Sequence, residues 1–294
     1  MSDQKINIAF IGTGLMGLPM VQNLSKGNYQ INAFNRTPSK MDSLKEASNI
    51  KICDSLEQAI KNSSIVITML PDDEAVEKVV NEVIGKSLLS KDSIFVDMSS
   101  TKYESAKLFY SNLKKTNVHF VDAPVSGGPE GAKSATLAIM AGGDADTFEK
   151  IKNILKTMGN PTLVGPSGSG QVAKLCNQII VGVTIGAVAE AVILCEQVGA
   201  NPENFIKAVA GGFADSKILQ NHGARMIKKD FAPRGKSITH LKDMDNILKC
   251  AKDANISLPI SKLIQSMYQN IVDRGQGNDD HSALYKEILE QNKK

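Results

Sequence analysis

Apolar and polar residues alternate along this chain with two different periods, and the change between them falls near residue 165. Before it, short apolar runs are separated by amphipathic stretches. Ile6–Ile11, Tyr29–Phe34, Ser64–Leu70, Ser93–Asp97, Val118–Asp122, Thr136–Ala141 and Pro161–Val164 read as strands. A stretch reaching Leu24, then Asp73–Ile84, Lys102–Lys115 and Asp146–Met158, read as helices. Strands alternating with helices predict a mostly parallel sheet covered on both faces. A Gly/Ser/Pro cluster, Gly165 to Gly170, marks the boundary. Beyond it only helical patterns follow: Val172–Val198, Pro202–Gly211, Ala214–Lys229, Thr239–Ala254, Pro259–Arg274 and Asp280–Gln291. The expected organisation is an α/β domain over 1–165 and an all-α domain over 166–294, with no internal repeat.

The long apolar run carries one oddity. Lys174 sits near its start, with Asn177 and Gln178 at i+3 and i+4, so a helix puts the three on one face. Lysines on helices usually lie on a solvated face. Here Val172, Ala173, Leu175, Cys176, Ile179 and Ile180 point all round, so the helix should be largely buried and the ammonium costly unless it is paired or used.

Composition narrows the classes. The 294 residues are 42% hydrophobic and 22% charged, and 34 basic against 31 acidic residues leave a net charge of +3. Such balance calls for neither nucleic acid nor a membrane surface as partner. The basic run Arg225, Lys228, Lys229, Arg234 and Lys236, interrupted by Asp230, reads as a solvated helix end. The charge-free stretch Leu175–Ala189 is short for a bilayer span and contains Asn177 and Gln178. Cys53, Cys176, Cys195 and Cys250 lack CxxC spacing and are expected as buried free thiols. With a strand-like run almost at the N-terminus and no signal peptide, the expected location is cytoplasmic.

Gly12, Gly14 and Gly17 form G-x-G-x-x-G directly after the first strand, with Leu15 and Met16 inside the turn. That setting gives a common pattern its weight. The first glycine permits a tight turn, the second lets the backbone approach a pyrophosphate, and the third lets helix and strand pack closely. The domain is therefore expected to be a Rossmann-type dinucleotide-binding domain. At the end of the second strand an acid would bind the ribose of NAD, but Asn35, Arg36 and Thr37 stand there. An arginine fork suits a 2′-phosphate, so NADP(H) is expected to be favoured over NAD(H).

Asp122-Ala-Pro-Val-Ser126-Gly127-Gly128 follows a strand, at the sheet edge where ligands of such folds bind. Two glycine N–H groups and the Ser126 hydroxyl offer a cradle for a small carboxylate. The four histidines, His119, His222, His240 and His281, show no metal-ligand spacing, so no metal is expected.

Together these segments, with Met69-Leu70-Pro71 and Lys242-Asp243, make the sequence resemble the β-hydroxyacid dehydrogenase family over nearly its whole length. That family includes 3-hydroxyisobutyrate dehydrogenase and tartronate semialdehyde reductase. The resemblance implies an active site in the cleft between a Rossmann-type domain and a helical one, and catalysis by Lys174. It implies substrate contacts at Ser126, Gly127, Gly128 and Asn177, with Gln178 beside them. It also places Leu70, Pro71 and Thr101 along the cofactor, and Lys242, with Asp243, near its nicotinamide end. Gln178, where many members carry Asn, resembles the tartronate semialdehyde reductase branch, as do the run Gly211–Ser216 and Arg225-Met226. Arg234 and Lys236 depart from a segment often richer in glycine and apolar residues.

The implied reaction interconverts a small β-hydroxy acid and its semialdehyde by hydride transfer, with Lys174 exchanging the proton and burial and cationic neighbours lowering its pKa. Tartronate semialdehyde is the favoured substrate. The alternatives are 3-hydroxyisobutyrate, succinic semialdehyde, glyoxylate and L-serine, and, outside enzymes, a dinucleotide-sensing scaffold. Enzymes of the 6-phosphogluconate type are longer and carry His where Asn177 stands. A homodimer or homotetramer is expected, with a second subunit covering part of the apolar helix.

Overall fold

A computed structural model describes residues 6–293, and the first five residues, part of the stretch expected to lack a leader, lie outside the described residues. The chain divides into two compact units, Met1–Lys174 and Leu175–Lys294, so the division falls inside a helix rather than at the glycine-rich cluster.

The first unit is built on a nine-stranded sheet: β1 (Ile6–Ile11), β2 (Tyr29–Phe34), β3 (Ile50–Ile52), β4 (Ile65–Thr68), β5 (Ile94–Asp97), β6 (His119–Asp122), β7 (Val125–Ser126), β8 (Leu137–Gly142) and β9 (Gly159–Gly165). Their order is β3-β2-β1-β4-β5-β6-β8-β7, with β9 parallel to β8 along its whole length. The strands from β3 to β6 are parallel. β8 then runs antiparallel to β6 and β7. Helices α1 (Gly17–Leu24), α2 (Leu56–Ile60), α3 (Asp73–Gly85), α4 (Tyr103–Lys114), α5 (Gly128–Lys133) and α6 (Ala145–Leu155) connect the strands.

Both faces of the sheet are covered, and β1 shows why Ile8–Ile11 are apolar without a break. Ile8 and Phe10 enter one core, while Ala9 and Ile11 enter another on the opposite face. Strand order reverses at β1, which lies between β2 and β4. The crevice beyond the carboxyl ends of these strands is where such sheets bind ligands.

In the second unit, the long helix α7 (Ser169–Gln197, begun in the first unit) is followed by α8 (Pro202–Val209), α9 (Ala224–Lys228), α10 (Ser237–Asp253), α11 (Pro259–Asp273) and α12 (Leu284–Gln291). Ile185, Val192, Met244, Tyr268 and Leu284 lie in its core. α7 packs tightly there. A Cβ at Gly182 would come within 2.5 Å of His240 Nε2, and one at Gly186 within 2.9 Å of Ile264.

Several expectations change. The helix expected over Ala214–Lys229 contains a π-helical turn, Leu219–Gly223, before α9. At its end Gly223 packs closely on α8, and a Cβ there would lie 2.9 Å from the Ile206 Cδ1 methyl. α7 is less buried than its composition suggests, with Ile180, Leu194 and Val198 exposed. By length and composition it could cross a membrane: it has 29 residues and a mean hydropathy of 2.1. Its apolar middle instead lines the second unit's core. Cys176 is exposed rather than buried, while Cys53 is buried, and none of the four cysteines is in a disulfide.

Candidate active site

The glycine turn is shaped by what its three glycines would meet as alanines. Gly12 has φ +104°, and a Cβ there would lie 2.3 Å from Met69 O. A Cβ on Gly17 would lie 1.9 Å from Gly12 O, so this position lets α1 close onto β1. Gly14 differs, because its Cβ would meet nothing within 4 Å. The space over Gly14 is open, as a backbone that must approach a diphosphate requires.

Around this turn lies a cavity of about 490 Å³. Gly12, Gly14, Leu15, Met16 and Gly17 line it from the β1 side, Asn35, Arg36 and Thr37 from the end of β2, and Leu70 and Pro71 from the end of β4. These ten residues, read as cofactor contacts in the sequence, are brought together. Lys40 and Lys78 join them; neither was singled out, because each reaches the cavity from a segment carrying no motif of its own. Asn35 has a second task. Its Oδ1 accepts from Thr13 N at 3.1 Å and its Nδ2 donates to Thr37 O at 2.9 Å, tying the glycine turn to the loop after β2.

Thr101, Lys242 and Asp243 are not among the residues lining this cavity. Thr101 is buried, where its N–H donates to Gln171 Oε1 and its hydroxyl to Asp97 Oδ2. Lys242 is exposed on α10. Asp243 accepts from Gln178 Nε2 at 2.5 Å, and Gln178 Oε1 accepts from Asn177 Nδ2 at 2.9 Å. The two amides of the proposed substrate pair are thus linked to each other and, through Gln178, to a carboxylate.

Lys174 is half-buried, and its Nζ donates to Val125 O at 2.9 Å. That carbonyl immediately precedes Ser126, Gly127 and Gly128, so the first unit by itself brings the lysine to the expected carboxylate cradle. Gly127 (φ +136°) and Gly128 (φ +62°) both adopt conformations that favour glycine, and both are exposed.

Two buried acids hold this region. Asp122 accepts from Gly168 N and Gln171 N, at the start of α7. Asp97 accepts from Thr68, Ser99 and Thr101. Burial pushes both carboxyls up to about 6, against the opposing pull of these hydrogen bonds.

The sequence also missed a cluster in the second unit. His222 Nε2 and His281 Nε2 lie 2.8 Å apart, with Asp280 alongside, although 59 residues separate the histidines. Asp280 is spent locally. Its Oδ2 accepts from Arg225 Nη1, Arg234 N and Gly235 N, and its Oδ1 from Ser282 N and Oγ. The acid therefore organises the loop before α12, with Arg225 beside the imidazoles.

Comparison with known proteins follows this geometry. Residues 7–182 match the family described as the NAD binding domain of 6-phosphogluconate dehydrogenase. Residues 168–288 match the one described as NAD-binding of NADP-dependent 3-hydroxyisobutyrate dehydrogenase. The chain is 38% identical over 285 residues to 2-hydroxy-3-oxopropionate reductase of Escherichia coli (strain K12), covering 96% of this chain and 97% of that protein. It is 32% identical to the mitochondrial 3-hydroxyisobutyrate dehydrogenase of Drosophila melanogaster, covering 95% of this chain and 88% of that protein. Among solved structures, 3-hydroxyisobutyrate dehydrogenase of Mycobacterium tuberculosis with L-serine superposes with a TM-score of 0.87 at 26% identity, covering 97% of this chain and 99% of that one.

Proposed function

The chain belongs to the β-hydroxyacid dehydrogenase family and is an NAD(P)-dependent oxidoreductase; we propose that it reduces tartronate semialdehyde with NADPH, using Lys174 as the proton donor. One observation supports this reading above the others: Lys174 Nζ is held at Val125 O, 2.9 Å away, next to the Ser126–Gly128 cradle. A carboxylate bound by the Gly127 and Gly128 N–H groups and the Ser126 hydroxyl would hold its aldehyde oxygen within the lysine's reach.

The fit for the cofactor lies in the open space over Gly14 and in the cavity lining. The glycine turn would hold the diphosphate, and Arg36, with Lys40 and Lys78 from neighbouring segments, would meet a 2′-phosphate. No carboxylate occurs among the described lining residues, whereas an acid there would favour the 2′-hydroxyl of NAD. The reduced nicotinamide, when bound, supplies the hydride to the carbonyl carbon. The chain's own part is to deliver a proton from Lys174 to the carbonyl oxygen and to orient that oxygen through Asn177, whose amide Gln178 holds. In the opposite direction neutral Lys174 accepts the proton. The name of the Escherichia coli relative favours tartronate semialdehyde over 3-hydroxyisobutyrate. Gln178 points the same way.

The test is a panel of small semialdehydes and keto acids, assayed with NADPH and NADH on wild type and Lys174→Ala. The expected result is highest kcat/KM for tartronate semialdehyde with NADPH, and turnover below a few per cent in the variant with NADPH binding retained. A lower KM for NADH would remove the cofactor preference, and an active variant would remove the role of Lys174.

A further inference from the structure

Gln171 is 1% exposed, yet every polar group it presents at this junction is used. Its Oε1 accepts from Thr101 N at 3.1 Å, its Nε2 donates to Ser99 O at 2.9 Å, and its backbone N–H donates to Asp122 Oδ2 at 3.0 Å. One residue thus joins the loop after β5, the end of β6 and the first turn of α7. Three residues later on the same helix comes Lys174, nearly one full turn on. The helix start has no slack elsewhere. A Cβ on Gly170 would lie 2.4 Å from Met140 O, and Gly168 N is already given to Asp122 Oδ1 at 2.7 Å.

An apolar side chain of similar volume would fill this site without needing partners. The amide is directional: Thr101 N needs an acceptor and Ser99 O takes a donor, so the side chain has one satisfactory orientation. We propose that Gln171 is a positioning residue, fixing Lys174 against Val125 O by tying the first turn of α7 to the Ser99–Thr101 loop. The proposal rests on the reading of Lys174 as proton donor.

The amide's two halves can be removed separately. In Gln171→Met both bonds go while volume is kept, and kcat for tartronate semialdehyde with NADPH should fall by about 10- to 100-fold, the cost of misplacing a catalytic group by roughly 1 Å. KM for the aldehyde and the Kd of NADPH should stay within about threefold, since neither ligand is bound by Gln171. In Gln171→Glu the acceptor for Thr101 remains, and the donor to Ser99 returns only when the carboxyl is protonated. Its kcat, relative to wild type, should therefore recover as pH falls, while Gln171→Met stays low throughout. A residue serving packing alone would give no such relative pH profile.

A second readout needs no substrate. Labelling of Lys174 by trinitrobenzenesulfonate, followed by peptide mass, should be several-fold faster in Gln171→Met than in wild type. Wild-type kcat in Gln171→Met, or labelling as slow as in wild type, overturns the proposal. An active Lys174→Ala instead overturns the reading it rests on. Wild type inactive on the aldehyde removes the substrate assignment and leaves the labelling comparison to decide.

Discussion

At the scale of single residues, the three glycines of the first turn do different work although the motif lists them alike. Gly17 has no room: its Cβ would overlap Gly12 O at 1.9 Å. Gly14 has room within the protein, since nothing lies within 4 Å of its Cβ. Gly14→Ala should therefore leave thermal stability almost unchanged while raising the Kd of NADPH at least tenfold, about 1.4 kcal/mol. Gly17→Ala should lose roughly 1–3 kcal/mol of stability or more through overpacking. Thermal melts paired with fluorescence titration separate the two. Equal melting temperatures for both variants would remove the packing role of Gly17, and unchanged NADPH affinity in Gly14→Ala would show that the empty space is not where the diphosphate rests. The sequence motif located these residues, and only the backbone geometry divides their roles. Gln171 shows the opposite case. Nothing near it in sequence marks a buried glutamine, because its partners Ser99 and Thr101 lie about 70 residues away.

At the scale of elements, legibility followed length and period. The expected strands and α3, α4 and α6 repeat apolar residues over enough positions to be read. β3, with three residues, and α2, with five, do not. The π-helical turn before α9 was illegible for another reason, since Gly223 fits a close contact with Ile206 that composition does not announce. The loop before α12 likewise depends on one buried acid far from its partners in sequence. Burial raises the Asp280 carboxyl, but the His281 ring, the Ser282 hydroxyl and the N–H groups of Gly235 and Ser282 outweigh it and hold it at about 2. Asp280→Ala leaves Arg225 without its carboxylate and four donors unanswered. The expected loss is about 3–5 kcal/mol, read as a lower urea midpoint. A loss below about 1 kcal/mol would mean that water replaces Asp280 in the loop.

At the scale of the whole chain, the two units carry buried groups whose protonation works in opposite senses. In the first unit Asp97 and Asp122 titrate at about 6 rather than near 3.8, because burial disfavours their charged forms. A raised folded-state pKa gives stability that is complete below 3.8 and lost as pH rises through 6, so acidification from 6 toward 4 strengthens this unit. In the second unit His281 is pushed down to about 4 by burial and then by the neighbouring His222, and His222 is itself lowered by burial. A lowered histidine contributes stability that is complete above 6.5 and lost as pH falls toward 4. Asp280, held at about 2, adds a further loss only below 3.8. Calorimetry between pH 6.5 and 4.5 should therefore show the helical unit's transition moving down while the sheet unit's holds or moves up. His281→Phe should flatten the helical unit's pH dependence, because the ring that must remain neutral in the fold is gone. Hydrogen exchange followed by peptide mass assigns each transition to its unit. Parallel losses in both units on acidification would mean that surface carboxylates, rather than these buried groups, set the acid limit.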